Sequence, residues 1–586
     1  MNINKRFGRG WISAVAVCSL LTVCLKPVCA VSNMSLPLGE INVLILTDVH
    51  SWVGGHNEHE PQLNADYGSV LSFYEQLKDI MKNELDKDLF FVMNGDFRDG
   101  TGLSTSPPHA LVPILERMPW DAVNMGNHEL YDDESLRYIT QTGGFVDWWN
   151  GAYLTSNIML SATGEAVGSM YRILKGQYYD VLTFGFIYNM KDNSDLVMVQ
   201  EVEDVVKMEW FETALRMDYD AILVLAHMDV VDPLVHVILK AIRSFVDENT
   251  PVQFVTGHTH YRKFAELDDY STSFEPGRYL DTIGFVSFPS HETVMDTDNV
   301  SMLFNHKFID ANEKKMAEVL GVDKLATPNG IGLSKMIHHT EDTMGLNSLI
   351  GCSPHHYILF QGVKEKNSLW GLYLEEVIPF AFFKGNTSKV YIEDSGSLRY
   401  DLFDGNTTAN DLIAVSPFRD TIYKVAEAVP GVTLLQLTKI LNPENSTFYL
   451  KDYGLKDYGI AGDITPSNVY DLYTPAFSFE KILSVLANNG WNHTLPKKGL
   501  KTKLTTTDLW FEHAAHNWKC AAGGLQAIQG FESSKKGKAS TSLLAFLVFA
   551  LLGVIAFVIY RRRATARDPR PSVYEYSGNL KDFTIT

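Results

Sequence analysis

Four apolar runs between residues 41 and 256 dominate the hydrophobic pattern of the chain. They span residues 41–47, 88–94, 221–226 and 251–256. Continuous runs of this length predict strands that are buried on both faces. Between the first two runs, apolar residues recur at intervals of three or four and predict an amphipathic helix: Val70, Tyr74, Leu77, Met81 and Leu85. Alternating strands and helices predict a layered α/β domain.

Short motifs of Asp, Asn and His follow these runs. In chain order the candidate residues are Asp48, His50, Asp96, Asn127, His227, His258 and His260. Ligand groups in α/β proteins lie just beyond the carboxyl ends of strands, so we expect these side chains to meet at one sheet edge. A single His or Asp at a strand end is usually a turn or cap residue. All these motifs in one order favour a metal site instead.

The residue types in these motifs suit two divalent cations. Imidazole is a ligand for Zn, Mn and Fe, and carboxylate suits harder ions, so the metal identity stays open. A shared carboxylate can hold two cations roughly 3.5–4 Å apart, a spacing used for in-line displacement at phosphorus. Asp96 is the natural bridging residue because it lies centrally in the series. Asn127 adds a neutral oxygen, so the site keeps a positive charge that favours phosphate.

The series D-x-H, G-D, G-N-H-E, H and G-H-T-H resembles the calcineurin-like metallophosphoesterase superfamily. Residues 95–104 and 153–157 resemble, more narrowly, its 5′-nucleotidase family. The resemblance covers roughly residues 40–500 and implies an α-β-β-α catalytic domain followed by an α+β substrate-binding domain. It implies phosphoester hydrolysis by water, with nucleotides as the expected substrates.

The resemblance also implies roles for individual residues. One metal would be held by Asp48, His50, Asp96 and His260, and the other by Asp96, Asn127, His227 and His258. His128 would be catalytic and reach the phosphoryl oxygen or the leaving group. The family often has an Asp three residues after this His to orient the imidazole. Tyr131 stands there in this chain, and we assign the orienting role to Asp132, one residue later.

The second block of the chain resembles the substrate domain of the family less closely. Arg399 falls where the family has an Arg that binds substrate phosphate, and Phe418 falls where a Phe stacks on the nucleobase. A surface ion pair for Arg399 and a core position for Phe418 are the alternatives. The second ring of the family's base sandwich lies in a Gly-Gly-Asp-Gly-aromatic turn. Residues 488–491 read Asn-Asn-Gly-Trp instead, which makes Trp491 the candidate for that ring.

Both ends of the chain carry apolar segments. Basic residues, an apolar stretch and a small-residue cleavage site predict a signal peptide over residues 1–30. Residues 542–560 contain no charge and predict one membrane-spanning helix, followed by three arginines that should stay cytoplasmic. We therefore expect a single-pass type I membrane protein of the secretory pathway. The expected domains are 38–300 (catalytic), 301–345 (a polar, irregular linker), 346–527 (substrate-binding), 528–541 (stalk) and 561–586 (cytoplasmic tail).

Composition narrows the partners and the compartment. The chain has 586 residues and a net charge of −20, without the basic stripe of a nucleic-acid-binding protein. Cys352 and Cys520 are the cysteines that remain after signal-peptide removal, and we expect them to form a disulfide in an oxidising compartment. Six sequons predict glycosylation at Asn33, Asn299, Asn386, Asn406, Asn445 and Asn492. The sequence leaves the oligomeric state open.

Three functions are compatible with these features. The first is a 5′-nucleotidase that acts on extracellular or luminal nucleotides. The second is a phosphatase or phosphodiesterase of the same fold that acts on another small phosphoester, which the altered turn at 488–491 allows. The third is a non-catalytic surface protein on an enzyme scaffold, which the complete ligand set disfavours.

Overall fold

The computed structural model describes residues 34–56, 58–82, 84, 86–295, 303–443, 458–491 and 500–520. These residues belong to one compact unit. The predicted signal peptide, stalk, membrane-spanning segment and cytoplasmic tail lie outside the described residues. Within the described ranges, none of the helices has both the length and the apolar character needed to cross a membrane.

Among the residues that the structure describes, the first domain contains fourteen strands and ten α-helices. The strands are β1 (Ile41–Leu46), β2 (Asp88–Asn94), β3 (Ala122–Asn124), β4 (Tyr153–Leu154), β5 (Ile158–Leu160), β6 (Tyr171–Lys175), β7 (Asp180–Ile187), β8 (Val197–Val199), β9 (Ala221–His227), β10 (Val252–Thr256), β11 (Arg262–Asp268), β12 (Ser271–Pro276), β13 (Thr282–Phe288) and β14 (Asn305–Asp310). The helices are α1 (Tyr67–Met81), α2 (Val112–Leu115), α3 (Asp133–Thr140), α4 (Phe145–Trp148), α5 (Val202–Val205), α6 (Glu209–Leu215), α7 (Pro233–Arg243), α8 (His291–Met295), α9 (Glu313–Leu320) and α10 (Pro328–Met344).

Two six-stranded sheets pack face to face in this domain. Their strand orders are β14-β13-β1-β2-β3-β4 and β11-β12-β10-β9-β7-β6. Alternate residues of β1 explain the layering. Val43 and Ile45 pack between the sheets against Leu223 and Leu225 of β9, whereas Leu44 packs in the cluster that holds α1 and α10. The helices α5–α7 cover the other sheet. Because both faces of the central strands are buried, their sequences read as continuous apolar runs. The predicted α-β-β-α layering is confirmed.

The expectation of an irregular linker over residues 301–345 was wrong. Strand β14 is the edge of the first sheet and pairs antiparallel with β13. Helix α9 is capped by Asn312, and α10 buries Leu333 and Ile337 against α1. The polar residues that made this region look irregular lie on the solvent side of these elements, since one face of an edge strand or surface helix stays hydrated.

The second domain is built on a five-stranded sheet. The strands of the whole domain are β15 (Leu349–Ser353), β16 (Lys389–Asp394), β17 (Gly405–Thr408), β18 (Thr421–Pro430), β19 (Tyr458–Ala461), β20 (Val469–Pro475) and β21 (Leu500–Thr505). Its helices are α11 (Leu369–Leu372), which continues as two π-helical turns (Tyr373–Val377 and Pro379–Phe383), α12 (Ala409–Val415), α13 (Gly431–Leu441), α14 (Ala476–Asn488) and α15 (Thr506–Asn517). The main sheet has the order β19-β16-β20-β18-β21, and β15 pairs with β17 separately.

A disulfide joins the two ends of the second domain. Cys352 in β15 bonds to Cys520, which follows α15, with their Cα atoms 5.0 Å apart. The predicted pairing is therefore confirmed. Of the six predicted glycosylation sites, Asn386 and Asn406 are exposed, and the other four lie outside the described residues.

Candidate metal centre

The predicted metal ligands all lie at the carboxyl ends of parallel strands. Asp48 and His50 follow β1, Asp96 follows β2, and Asn127 follows β3 in the first sheet. His227 is the last residue of β9, and His258 and His260 follow β10 in the second sheet. The two sheets pack against each other, so these edges meet and bring the seven side chains together, as the motif order predicts.

Tight backbone turns aim these side chains. Five of the seven predicted ligands have positive φ angles: Asp48 (50°), His50 (47°), Asp96 (53°), His258 (74°) and His260 (65°). Non-glycine residues pay roughly 1–3 kcal/mol each for such conformations, which concentrate at functional sites. Gly126 also approaches Asp96 so closely that a Cβ atom at this position would overlap the carboxylate. The loops therefore give up backbone stability to place donor atoms.

Two groups of donor atoms converge around Asp96. Asp48, His50, Asp96 and His260 each offer one atom within 4.8 Å of the others, and so do Asp96, His227 and His258. The Oδ2 atom of Asp96 lies 3.5 Å from His50 Nε2 and 3.2 Å from His227 Nε2. Asp96 therefore lies between two candidate cation sites, the position expected of a bridging ligand.

Asn127 completes the second group. Its Oδ1 atom lies 2.8 Å from His258 Nδ1 and 3.2 Å from His227 Nε2. The amide supplies a neutral oxygen to a site that already holds a carboxylate.

Backbone carbonyl groups orient two of the imidazoles. His50 Nδ1 donates to Arg98 O at 2.7 Å, and His227 Nδ1 donates to Asn94 O at 2.8 Å. This arrangement directs Nε2 of each ring to the cluster, as is usual for metal-binding histidines. Sequence reasoning did not identify the role of Glu129 in the G-N-H-E motif. Its buried carboxylate accepts the N–H groups of Asp96, Phe97 and Gly126 and so joins the two ligand loops.

The electrostatics of the cluster suit a cation. Burial, followed by the nearby Arg399, lowers the pKa of His50 and His260 well below the usual value. The Nε2 atoms of His50 and His260 lie 3.1 Å apart. Burial opposes the charge on His227, but Asp96 and Asp48 outweigh it and raise its pKa to about 10. Two imidazoles held neutral, together with His227 beside two carboxylates, form a donor set that fits divalent metal ions.

His128 lies beside this cluster and forms a pair with Asp99. The Nδ1 atom of His128 is 3.1 Å from Asp99 Oδ2, and the imidazole is largely buried. Asp99 also accepts a hydrogen bond from Ser104 Oγ and lies 3.4 Å from the Arg98 guanidinium group. Burial raises and Arg98 lowers the pKa of Asp99, with a net decrease to about 2. Asp99 is therefore a carboxylate at neutral pH.

The predicted orienting role of Asp132 was wrong. Asp132 is the N-cap of α3, where its carboxylate accepts the N–H of Ser135, and it lies 3.4 Å from Arg98. None of the hydrogen bonds within the described part of the chain joins Asp132 to His128. The helix start competes for this carboxylate, because the first N–H groups of a helix need an acceptor. Asp99 precedes His128 by 29 residues, so short-range spacing could not identify it.

Two predicted substrate-binding residues of the second domain reach the metal centre. The Nη2 atom of Arg399 lies 3.2 Å from His50 Nε2. The Phe418 ring lies 5.9 Å from the His128 ring at an interplanar angle of 15°, and the Arg399 guanidinium is 5.6 Å from the Phe418 ring centre. Phe418 is only half-buried. The structure thus places both residues in the cleft between the domains, not in a core or on the outer surface.

Trp491 lies elsewhere in the second domain. It packs at the end of α14 against the cluster that contains Phe479, Ile482 and Leu486. This position gives no support to the predicted base sandwich with Phe418. Sequence reasoning missed Phe477, which is 59% exposed. Its ring contacts Tyr131 edge-on at 6.3 Å, and the Tyr131 ring is 5.5 Å from His128.

The chain matches known families over both domains. Residues 41–262 match the model of calcineurin-like phosphoesterases, and residues 356–460 match the C-terminal domain of NAD nucleotidase. An uncharacterized protein from Schizosaccharomyces pombe is 30% identical over 454 residues, which cover 71% of this chain and 75% of that relative. A secreted protein from Arthroderma benhamiae is 25% identical over 457 residues, which cover 70% and 68%.

Solved structures agree with the fold. A 5′-nucleotidase from Candida albicans has a TM-score of 0.73 and 22% identity, covering 82% of this chain and 99% of that chain. A 5′-nucleotidase precursor from Thermus thermophilus has a TM-score of 0.59 and 14% identity, covering 82% and 97%. The chain belongs to the calcineurin-like phosphoesterases, with a second domain of the NAD nucleotidase and 5′-nucleotidase type. It is a phosphoester hydrolase with a candidate two-metal site.

Proposed function

We propose that the protein is a dinuclear metal-dependent 5′-nucleotidase that releases phosphate from extracellular or luminal nucleotides. The proposal rests on one observation: residues of both domains lie together at the metal centre. Arg399 and Phe418 of the second domain contact His50 and His128 of the first. A guanidinium group and an aromatic ring beside a phosphoesterase site suit a phosphate and a nucleobase.

Seven residues are proposed to hold the two cations. Asp48, His50, Asp96 and His260 form the first site, and Asp96, Asn127, His227 and His258 form the second. Divalent ions in these positions would supply the Lewis acidity that stabilises charge on a phosphoryl group during attack by water. The zinc, manganese and iron ions all suit this donor set.

His128 is proposed to act on the substrate rather than on a metal. Asp99 holds Nδ1, which leaves Nε2 to face the cleft and contact a phosphoryl oxygen or the leaving oxygen. A buried carboxylate fixes both the ring orientation and the tautomer of an imidazole, and it stabilises the imidazolium form. Asp99 is therefore a positioning residue, and His128 is the catalytic residue.

Arg399 and Phe418 are proposed to bind the two ends of the nucleotide. Arg399 lies close enough to the first cation site to contact the scissile phosphate, and its planar fork matches phosphate oxygens. The nearby ring of Phe418 offers a face to a nucleobase, an interaction that contributes roughly 1–3 kcal/mol per base. Phe477 supplies a second exposed ring on the Tyr131 side of the cleft.

The secretory location is proposed from several features. The disulfide between Cys352 and Cys520 fits an oxidising compartment, and the relative from Arthroderma benhamiae is described as a secreted protein. The apolar segments at residues 1–30 and 542–560 fit a signal peptide and a membrane anchor. The catalytic site would then face the lumen or the outside of the cell.

A second candidate is a phosphatase that acts on a non-nucleotide phosphoester. Trp491 is partly buried against the core of the second domain, which favours this candidate because the base-binding sandwich that the resemblance implies is then incomplete. A substrate panel separates the candidates. We would measure phosphate release from AMP, UMP, UDP-glucose and p-nitrophenyl phosphate at one fixed concentration of manganese. Preference for nucleotides supports a nucleotidase. Release from p-nitrophenyl phosphate alone supports the second candidate, and release from none of them favours a binding protein.

A further inference from the structure

A cleft between the two domains continues outward from the first cation site. It has a volume of about 260 Å³ and is lined by His260 and Arg278 of the first domain and by Phe360, Ser395, Gly396 and Arg399 of the second. The chain has 70 acidic and 50 basic residues. Even so, the described residues that line this cleft include two arginines and no carboxylate. The cleft is therefore locally cationic in an acidic protein.

Arg278 presents its guanidinium group to this cleft. The group lies 4.7 Å from the ring centre of Tyr279 and 5.6 Å from that of Phe360. Arg278 takes part in none of the ion pairs found among the described residues. Asp281, on the same loop, accepts the backbone N–H of Arg278 and the hydroxyl of Thr282. Two aromatic rings thus hold the guanidinium group in place while its donors stay available.

Two further polar groups at this cleft lack acceptors. Ser395 is 2% exposed, and its hydroxyl has no hydrogen-bond partner within the described part of the chain. The Nε atom of Arg399 is also buried without a partner there. Buried donors without acceptors cost free energy, so their presence together indicates a site that a ligand completes.

The two arginines lie at different distances from the metal centre. Arg399 contacts His50 directly at 3.2 Å. Among the described residues, no hydrogen bond joins Arg278 to a ligand of the centre; its guanidinium group packs on the ring of Tyr279, which itself lies 5.3 Å from the His260 ring. A phosphate at the cations would therefore contact Arg399, whereas an anionic group near Arg278 must belong to the next part of the substrate.

We infer that Arg278, with Ser395 and Arg399, forms a subsite for a second phosphate group of the substrate, next to the phosphate under attack. This inference rests on the proposed function and extends its substrate class from nucleoside monophosphates to phosphoanhydrides such as nucleoside diphosphates. In their hydrolysis, water supplies the new oxygen of the released phosphate, the anhydride P–O bond breaks, and the other phosphate leaves with the bridging oxygen. The subsite holds the phosphate that leaves.

Competitive inhibition by two inorganic anions tests the subsite without a nucleoside. Hydrolysis of p-nitrophenyl phosphate by the full chain is measured at a fixed free manganese concentration, with pyrophosphate or phosphate as the inhibitor. We expect Arg278→Ala to raise the inhibition constant of pyrophosphate roughly 10- to 100-fold, the loss typical of a charge-assisted contact. The constant for phosphate should change less than about threefold, because Arg399 remains. Arg278→Lys should bind pyrophosphate more tightly than Arg278→Ala but more weakly than the unmodified protein. Lys keeps the positive charge but lacks the planar guanidinium that makes paired hydrogen bonds to phosphate.

Arg216→Ala is the matched control. Arg216 is the exposed C-cap residue of α6 and pairs with Glu212, so its removal changes the net charge equally without touching the cleft. Equal losses for both anions in Arg278→Ala would assign Arg278 to the scissile phosphate and overturn the inference, as would unchanged inhibition by pyrophosphate. Absence of hydrolysis of both AMP and p-nitrophenyl phosphate in the unmodified protein would instead contradict the proposed function, on which the subsite depends.

Discussion

The His128 imidazole and the Asp99 carboxylate form a buried pair with a distance of 3.1 Å between Nδ1 and Oδ2. The two residues come from the loops after different strands, and only the folded sheet brings them together. The pair holds His128 beside His50 of the first cation site, with the ring centres 4.7 Å apart, and beside Phe418 of the second domain. Asp99 thus fills the place that the resemblance gives to an Asp three residues after the catalytic His.

Asp99→Asn tests this pair directly. Asn is isosteric and tolerates the positive φ of 70° at this position, but it cannot stabilise an imidazolium ion. We expect kcat for AMP to fall by about 100-fold or more, with little change in KM or in metal content. Phosphate release and elemental analysis measure these quantities.

Asp132→Asn is the control for Asp99→Asn, because Asp132 caps α3 and interacts with Arg98. Its effect on kcat should stay below about threefold, as for a partly exposed pair. A smaller loss on p-nitrophenyl phosphate than on AMP in Asp99→Asn would place His128 at the leaving oxygen, because p-nitrophenolate needs less protonation than an alkoxide. Equal kcat values for the two variants would remove Asp99 from the mechanism.

His128→Ala should abolish most turnover while both metals remain bound. None of the described metal-site groups includes His128, so the cations should be retained. We expect a loss of roughly 100- to 1,000-fold in kcat, the usual effect of deleting a group that stabilises charge in the transition state. Metal content per chain and initial rates are the measurements. Activity equal to that of the unmodified protein would show that His128 takes no part in the reaction.

Phe418→Ala should raise KM for nucleotides and leave p-nitrophenyl phosphate nearly unaffected. The expected factor for AMP is about 5- to 150-fold, from the roughly 1–3 kcal/mol of one base–ring stack. Phe380→Ala removes a ring that is 40% exposed and packs near His513 and His516, and it serves as the control. The same KM change with both substrates would mean that Phe418 supports the cleft without contacting a base.

Glu393 predicts a pH dependence of stability in the second domain. It is fully buried and accepts hydrogen bonds from Tyr373 and Tyr391, and burial raises its pKa from 4.5 to about 8, with Asp420 and Asp394 acting in the same direction. The folded state therefore favours the protonated acid. Its stabilising contribution is complete below the unfolded pKa and is lost as the pH rises through the folded pKa, on the order of 1.4 kcal/mol per pH unit between them.

Glu393→Gln isolates this group, since Gln is neutral at every pH. Denaturant unfolding between pH 5 and 8 should show a decline in the free energy of unfolding for the unmodified protein that is smaller in the variant. Parallel pH profiles of the two proteins would show that Glu393 does not titrate in this range.

Sequence reasoning located the metal centre well because its signals are local. Asp48, His50 and His260 each follow an apolar strand, and strand direction in a layered α/β domain brings such residues to one edge. Arg399 and Phe418 were reached through the resemblance, and the structure brings both into the cleft. The β14–α10 region was misread because edge strands and surface helices carry many polar residues.

The residues that sequence reasoning missed depend on long-range packing. Asp99 faces His128 only after two parallel strands align, and Arg278 reaches the cleft only when the domains meet. Asp132 is closer than Asp99 to His128 in the sequence, but its carboxylate caps the N-terminus of α3. Trp491 looked suitable by its position after Gly490, yet the apolar surface near α14 packs against its ring.

Chelator-sensitive phosphate release by the purified full chain is the most direct test of the central claim. Rates with AMP and with p-nitrophenyl phosphate would be measured before chelation, after chelation, and after addition of manganese or zinc, with Asp96→Asn in parallel. We predict that chelation abolishes release, that metal restores it, that AMP is preferred, and that Asp96→Asn stays inactive because both cation sites share this carboxylate. Release that persists in chelator, or equal activity in Asp96→Asn, would contradict a two-metal phosphoesterase centre.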